Sequence, residues 1–312
     1  MALAFFVSGI VYVYFGRWRV THMDYWKIYD VCLDNTWLKS ALFKYGGHSL
    51  FFPMFLQLAN LHFFHGSQQF LFFAGLTLLL ISVSLLLIPV WRDQTASLTA
   101  KIVSTLIVIV GSFWMGRAAI TTSGGFNCEN SSVMVGATLA FLLLPKMCDD
   151  SSRLLSTALI LLCAGFVASF SMAIGLAIWP TLLVLAWCLR LPRHLMVMLA
   201  VAGLAAAIIF VLLPPSPPYD LSPLQGIHWR GPSAVYTTIV WLCRLIGSPV
   251  SYAVFAWWPD KSFHHLIESS GLALWSGAGG LVLAATAALP QLSQHKIRKS
   301  TLQFTGLALV IF

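Results

Sequence analysis

The chain has 312 residues, of which 59% are hydrophobic and only 9% are Asp, Glu, Lys or Arg. Soluble domains carry about 25% charged residues, so this chain has too little charge to cover a water-soluble globule of its size. The composition excludes a soluble enzyme, a disordered chain and a disulfide-stapled scaffold, and predicts a polytopic membrane protein. The formal net charge of +8 does not indicate nucleic-acid binding, because Lys and Arg in membrane proteins mostly mark cytoplasmic loops.

Apolar runs recur along the whole chain. A crossing of about 30 Å of hydrocarbon takes roughly 20 apolar residues. The candidate spans are 2–15, 68–90, 102–116, 132–145, 154–171, 173–189, 195–213 and 269–289. A further apolar run, 304–312, ends the sequence, so we expect the chain to stop within a helix. These runs predict an all-α bundle of about 8–10 transmembrane helices, forming one integral membrane domain over 1–312.

The distribution of Lys and Arg predicts the orientation of this bundle. Nine of these residues lie in one set of connections: Arg92, Lys101, Lys146, Arg153, Arg190, Arg193, Lys296, Arg298 and Lys299. The alternate short connections contain only Arg117 and Arg230. The positive-inside rule therefore places the first set in the cytoplasm, and 16–67, 117–131 and 214–233 outside.

The segment 235–258 is apolar enough to span, but it contains Arg244 and the helix-breaking sequence Gly247-Ser248-Pro249. A spanning helix here would move the basic stretch 291–300 to the wrong side. A re-entrant or broken helix resolves the conflict if its irregular backbone is shielded from lipid.

The long external segment 16–67 is the most informative part of the chain, because a loop of this length is usually functional or a small subdomain. Residues 25–43 suit one or two amphipathic helices lying on the membrane surface. Asp24 stands just outside the first helix. Its carboxylate could act as a general base or a metal ligand, and a solvated loop acid or a helix N-cap is the alternative.

Three histidines form a second candidate group. His62 and His65 are three residues apart, so a helix would place them on one face. Together with His48 or Asp24 they could bind a divalent metal ion. Amphipathic histidines at a membrane interface are the alternative.

The remaining candidates are polar groups near apolar runs. Glu129, in the sequence Asn127-Cys128-Glu129-Asn130, suits a sugar or a lipid headgroup, and capping of a helix that begins at 132 is the alternative. Arg117 and Arg244 are candidates for binding a lipid-linked phosphate, since a guanidinium group forks onto phosphate oxygens. Arg244 lies within an apolar run, where a charge usually faces a cavity; snorkelling to the headgroups is the alternative for both.

Three short motifs carry a family resemblance. They are Asp24-x-Trp26 followed by His48-x-x-x-Phe52-Pro53, then Ser171-Met172-x-x-Gly175-Leu176-x-x-Trp179-Pro180, and Leu245-Ile246-Gly247-Ser248-Pro249. This pattern, over roughly 20–290 of the chain, resembles bacterial integral membrane proteins that look like GT-C-type glycosyltransferases.

The resemblance implies a specific activity. Such enzymes take a sugar from a polyprenyl phosphate or diphosphate carrier and pass it to an acceptor outside the membrane, and many use a divalent metal ion. Asp24 matches the acidic catalytic position of their first external loop, although His22-Met23 precedes it where a second acid is expected. His48 matches their motif and is a candidate for binding the substrate. The resemblance therefore implies membrane lipid and a polyprenyl-phosphate-linked sugar as partners, and a site on the periplasmic side of a bacterial inner membrane.

Two other functions remain open. A transporter or flippase of lipid-linked or small polar substrates would carry buried charges within its helices. A non-catalytic assembly subunit would lack a cavity joining Asp24, Arg244 and the membrane.

Overall fold

In the computed structural model the described residues are 2–17, 19, 25–113, 121–148, 154–216, 236, 240, 243–244, 271–279 and 282. The chain divides into two compact units, 1–223 with 302–311 and 224–301 with 312. In the second unit the described residues include a helical stretch, 271–279. All the elements named below belong to the first unit.

The described part of the chain is mostly helical, so the prediction of an all-α fold is confirmed. The α-helices are α1 (Ala2–Gly16), α2 (Tyr25–Asp34), α3 (Trp37–Leu42), α4 (Phe51–Phe63), α5 (Gln68–Arg92), α6 (Leu98–Ser112), α7 (Gly124–Leu143), α8 (Leu154–Ser169), α9 (Ile178–Cys188) and α10 (Arg193–Leu212). Short 3-10 helices cover Leu144–Cys148 and Ala173–Ala177, and two short strands are β1 (Lys44–Tyr45) and β2 (His48–Ser49).

Three of the described helices are long and apolar enough to cross a membrane: Gln68–Arg92, Gly124–Met147 and Arg193–Leu212. The shorter apolar helices are Phe6–Gly16, Leu98–Ser112, Leu154–Ser169 and Ala173–Cys188. Each of these seven helices overlaps a span predicted from the sequence. The number of crossings stays a prediction.

Helix α7 begins earlier than the sequence indicates. The sequence predicts a loop for the polar stretch from Asn127 to Asn130, but the helix starts at Gly124 and includes this stretch. Gly124 allows this, because a Cβ atom there would lie 2.8 Å from the Cβ atom of Leu71 in α5. Close packing against α5 therefore holds a turn whose own residues have low helix propensity.

The segment between α1 and α5 contains α2 and α3, which lie within the stretch 25–43 predicted to form one or two short helices. The β1–β2 hairpin and α4 follow them and were not predicted. The core of this segment contains buried apolar side chains that include Cys32, Ala41, Met54 and Leu58. We call residues 25–67 the loop subdomain.

Backbone hydrogen bonds connect the β1–β2 hairpin with the residues that follow α10 in the first unit. The β1–β2 turn uses Gly46 and Gly47, both with positive φ, as a tight hairpin turn requires. On its other side, the Lys44 amide donates to Pro214 O at 2.8 Å, and the Ser216 amide donates to Lys44 O at 2.8 Å. The segments 16–67 and 214–233, both predicted to be external, therefore touch each other at this point.

Candidate functional site

A buried carboxylate lies where the loop subdomain meets α7. Glu129, in the second turn of α7, is only 3% exposed. Its Oε1 atom accepts hydrogen bonds from the Tyr25 hydroxyl at 2.8 Å and from Gln57 Nε2 at 3.3 Å. One carboxylate thereby links α2, α4 and α7.

A second set of hydrogen bonds lies one turn further along α2. The Tyr29 hydroxyl accepts from Asn60 Nδ2 at 2.9 Å and from Gln68 Nε2 at 3.2 Å. Tyr29, Asn60 and Gln68 are all buried. We call the combined group, Tyr25, Tyr29, Gln57, Asn60, Gln68 and Glu129, the polar cluster.

Helical spacing explains how the sequence builds the polar cluster. Tyr25 and Tyr29 are four residues apart on α2, and Gln57 and Asn60 are three apart on α4, so each pair occupies one helix face. On α7, Gly125 provides room for Tyr25, because a Cβ atom at this position would collide with the tyrosine ring. The start of α2 therefore packs directly on the backbone of α7.

The Tyr25 hydroxyl keeps its proton. Burial raises its pKa well above the usual value of 10.0, and the charge of Glu129 raises it further. A protonated phenol is the state that can donate to a carboxylate. Burying a carboxylate is costly unless it is paired or hydrogen-bonded, and Tyr25 supplies one of the bonds that offset this cost.

His48 lies in β2 and is half-buried. Its Nδ1 atom is buried without a hydrogen-bond partner. Burial lowers the pKa of the imidazole from its usual value of 6.5, so the ring is neutral at neutral pH. A neutral imidazole can accept or donate a proton.

Lys44 pairs with Ser49 in the hairpin register and is only 4% exposed. Its Nζ atom donates to Val211 O at 3.2 Å, in the last turn of α10. Carbonyls in the last turn lack intrahelical partners and carry partial negative charge. Burial lowers the pKa of Lys44, and the helix terminus gives the amine an acceptor.

The other predicted site residues lie apart from the polar cluster. His62 is exposed, and its ring stacks on Trp37 with centroids 5.1 Å apart. Helix α4 ends at Phe63, so His65 lies beyond it, in a left-handed conformation with φ of 52°. Within the described ranges, no group of three or more His, Cys, Asp or Glu side chains could hold a metal ion.

Three further predictions concern other parts of the chain. Asp24 and Arg117 lie outside the described residues. Arg244 belongs to the second unit, and its Nε atom is buried without a hydrogen-bond partner. Of the predicted site residues that are described, Glu129 is the one that enters the polar cluster.

Gln57 and Asn60 are not among the site residues predicted from the sequence. Both are fully buried polar side chains in a helix that is otherwise largely apolar. Polar side chains on one face of an apolar helix indicate a buried polar partner. The three-residue spacing of Gln57 and Asn60 is therefore the feature of the sequence that could have predicted their role.

Comparisons with protein-family models, with curated proteins and with solved structures found no match for this chain.

Proposed function

We propose that this protein is a membrane glycosyltransferase of the GT-C type, which moves a sugar from a polyprenyl-phosphate carrier to an acceptor on the external face. The observation that carries the proposal is the 2.8 Å hydrogen bond from Tyr25 to Glu129. Tyr25 directly follows Asp24, the proposed catalytic base, in the sequence. A catalytic base must be held within a fraction of an ångström of its working position. The bond to Glu129 anchors Tyr25, the residue next to Asp24, on the apolar helix α7.

The proposed chemistry needs few groups. The polyprenyl phosphate leaves as a stable anion, so one carboxylate, that of Asp24, suffices to remove the proton from the acceptor hydroxyl. The C–O bond between the sugar and the phosphate breaks as the bond to the acceptor oxygen forms. Arg117, which belongs to the same unit as Asp24, is the proposed phosphate-binding residue, with a divalent metal ion as an alternative.

Glu129 has a different part in this proposal from the one that the sequence indicates. Its Oε1 atom already accepts two hydrogen bonds from Tyr25 and Gln57, and its side chain is almost fully buried. We therefore propose Glu129 as a positioning residue for α2. His48, which is half-buried in the hairpin, remains a candidate for contacting the substrate.

The test is transfer by the purified chain in lipid vesicles. A panel of synthetic polyprenyl-phosphate hexoses and pentoses is supplied together with a panel of hydroxyl-bearing sugar and lipid acceptors, and both the glycosylated acceptor and the released polyprenyl phosphate are measured by mass spectrometry. The wild type should release it above the level of empty vesicles, and Asp24→Asn should reduce the rate by about 100-fold or more. Asp30→Asn, which changes an exposed carboxylate on α2, is the matched control. Full activity of Asp24→Asn would remove Asp24 from the role, and no release by the wild type would oppose the activity itself.

One observation favours a transporter as the second candidate. Glu129 lies within α7, one of the three helices apolar enough to cross a membrane, and intramembrane carboxylates often mark substrate or ion pathways. Its position five residues after Gly124 places it near one end of the helix rather than at its centre. Uptake of the free sugars or the lipid-linked sugars into the same vesicles, without release of polyprenyl phosphate, would favour this alternative.

A further inference from the structure

The carboxyl group of Glu129 in the polar cluster has no cationic partner among the residues that the structure describes. No Lys, Arg or His in the described ranges pairs with Glu129, and its hydrogen-bond donors are the neutral side chains of Tyr25 and Gln57. Buried charges in proteins are paired or coordinate metal ions. A buried carboxylate with only neutral neighbours therefore indicates a missing cation or proton.

Two carbonyl oxygens in the same cluster also lack partners. Gln57 Oε1 and Asn60 Oδ1 are buried and accept no hydrogen bond, and both residues are completely inaccessible to solvent. The amide nitrogens of these side chains are already used, by Glu129 and by Tyr29. An unsatisfied buried acceptor costs about 1–3 kcal/mol, and both of these atoms belong to the same cluster as Glu129.

We propose that the polar cluster binds an alkali-metal cation, Na⁺ or K⁺, through Gln57 Oε1, Asn60 Oδ1 and the carboxylate of Glu129. Gln57 and Asn60 lie on one face of α4, three residues apart, and their amide groups reach Glu129 and Tyr29 through the side-chain nitrogens. Hard cations prefer carboxylate and carbonyl oxygens. One monovalent ion supplies the missing charge and satisfies both acceptors.

A divalent ion and a water molecule fit these residues less well. Mg²⁺ gives up its water reluctantly and keeps several water ligands, which requires room beside side chains that here are fully buried. Calcium takes six to eight oxygen ligands, usually from several carboxylates. A buried water would satisfy the carbonyl oxygens but would leave the carboxylate without a counter-charge.

The experiment measures the thermal unfolding midpoint of the full chain, purified in detergent with choline chloride as the only salt. NaCl or KCl then replaces choline chloride at constant ionic strength. The wild type should show a saturable rise in midpoint with at least one of the two ions, because a ligand that binds only the folded state stabilises it. The sodium and potassium titrations identify which ion binds.

Three variants test the assignment. Gln57→Leu should abolish the rise, and Asn60→Asp, which adds a carboxylate at an oxygen ligand, should make it saturate at a lower ion concentration. Asn127→Ala is the matched control, because the unpaired atom of this buried amide is a nitrogen, which does not bind a cation; its response should equal that of the wild type.

Three outcomes would overturn the proposal: midpoints that are equal in NaCl, KCl and choline chloride, a midpoint that follows pH alone, or the same ion response in Asn60→Asp as in the wild type. The last comparison holds even if Gln57→Leu does not fold. No step of the test depends on sugar transfer, so its failure is distinguishable from a failure of the proposed enzyme activity.

Discussion

Tyr25 and Glu129 are 104 residues apart in the chain, and the tyrosine hydroxyl donates a 2.8 Å hydrogen bond to the glutamate Oε1 atom. The ring of Tyr25 also packs edge-on against Phe126, with centroids 5.1 Å apart. A polar and an apolar contact thus fix the first turn of α2 on α7. Hydrogen bonds to a charged group contribute about 1.5–3 kcal/mol, so this single bond is a substantial part of what holds the loop subdomain in place.

Replacement of this tyrosine tests the anchor. Tyr25→Phe removes the hydroxyl and keeps the ring, so the free energy of unfolding should fall by about 1.5–3 kcal/mol, as measured by denaturant or thermal unfolding in detergent. Tyr12→Phe is the control, because Tyr12 is exposed on α1. Equal stability of the two variants would contradict the anchoring role.

The glycine beneath Tyr25 gives a steric test of the same contact. Gly125→Ala places a methyl group against the tyrosine ring, so we expect a loss of about 1–3 kcal/mol from overpacking. The matched control is Gly111→Ala in α6, where a Cβ atom meets nothing within 4 Å. That change should stabilise the protein by about 0.5–1 kcal/mol, since alanine has the higher helix propensity. A stabilising effect at both glycines would show that α2 does not pack as described.

The apolar helices could be predicted from the sequence because their length and composition are local properties. The predicted spans 68–90 and 195–213 correspond closely to α5, Gln68–Arg92, and α10, Arg193–Leu212. The start of α7 could not be predicted in this way. Its first two turns contain Gly, Asn, Ser and Glu, a composition typical of a loop. These turns are helical because they pack against α5 and α2.

The candidate site was predictable only in part for a related reason. Glu129 stood out because acidic residues are rare in this chain. Its partners did not, because they come from distant segments, and the sequence contains no local signal that pairs Gln57 with a residue 72 positions away. The long-range contacts of a buried network are set by helix packing, which one sequence does not reveal.

Stability should depend on pH through His48. Burial lowers the folded-state pKa below the usual 6.5, so the unfolded chain takes up a proton first as the pH falls. His48 therefore lowers the free energy of unfolding as the pH falls below about 6.5 toward the folded-state pKa. Above that range its ionisation does not change the free energy of unfolding. Between pH 7.5 and 5.5, the thermal unfolding midpoint of the wild type should fall further than that of His48→Asn.

The control for this measurement is His62→Asn, which changes an exposed histidine on α4. The unfolding midpoint of this variant should fall by as much as that of the wild type over the same pH range. If His48→Asn and the wild type show the same pH dependence, the imidazole is not buried in the folded protein.

The two ends of α5 test the proposed orientation. A helix of 25 residues is about 37 Å long, enough to cross the roughly 30 Å of hydrocarbon, with Ser67 and Gln94 both exposed beyond its ends. A membrane-impermeant maleimide should label Ser67→Cys in intact cells and should label Gln94→Cys only after permeabilisation. The wild type, with its native cysteines, gives the baseline for both variants. The reverse pattern would place the loop subdomain in the cytoplasm, where the proposed external transfer could not occur.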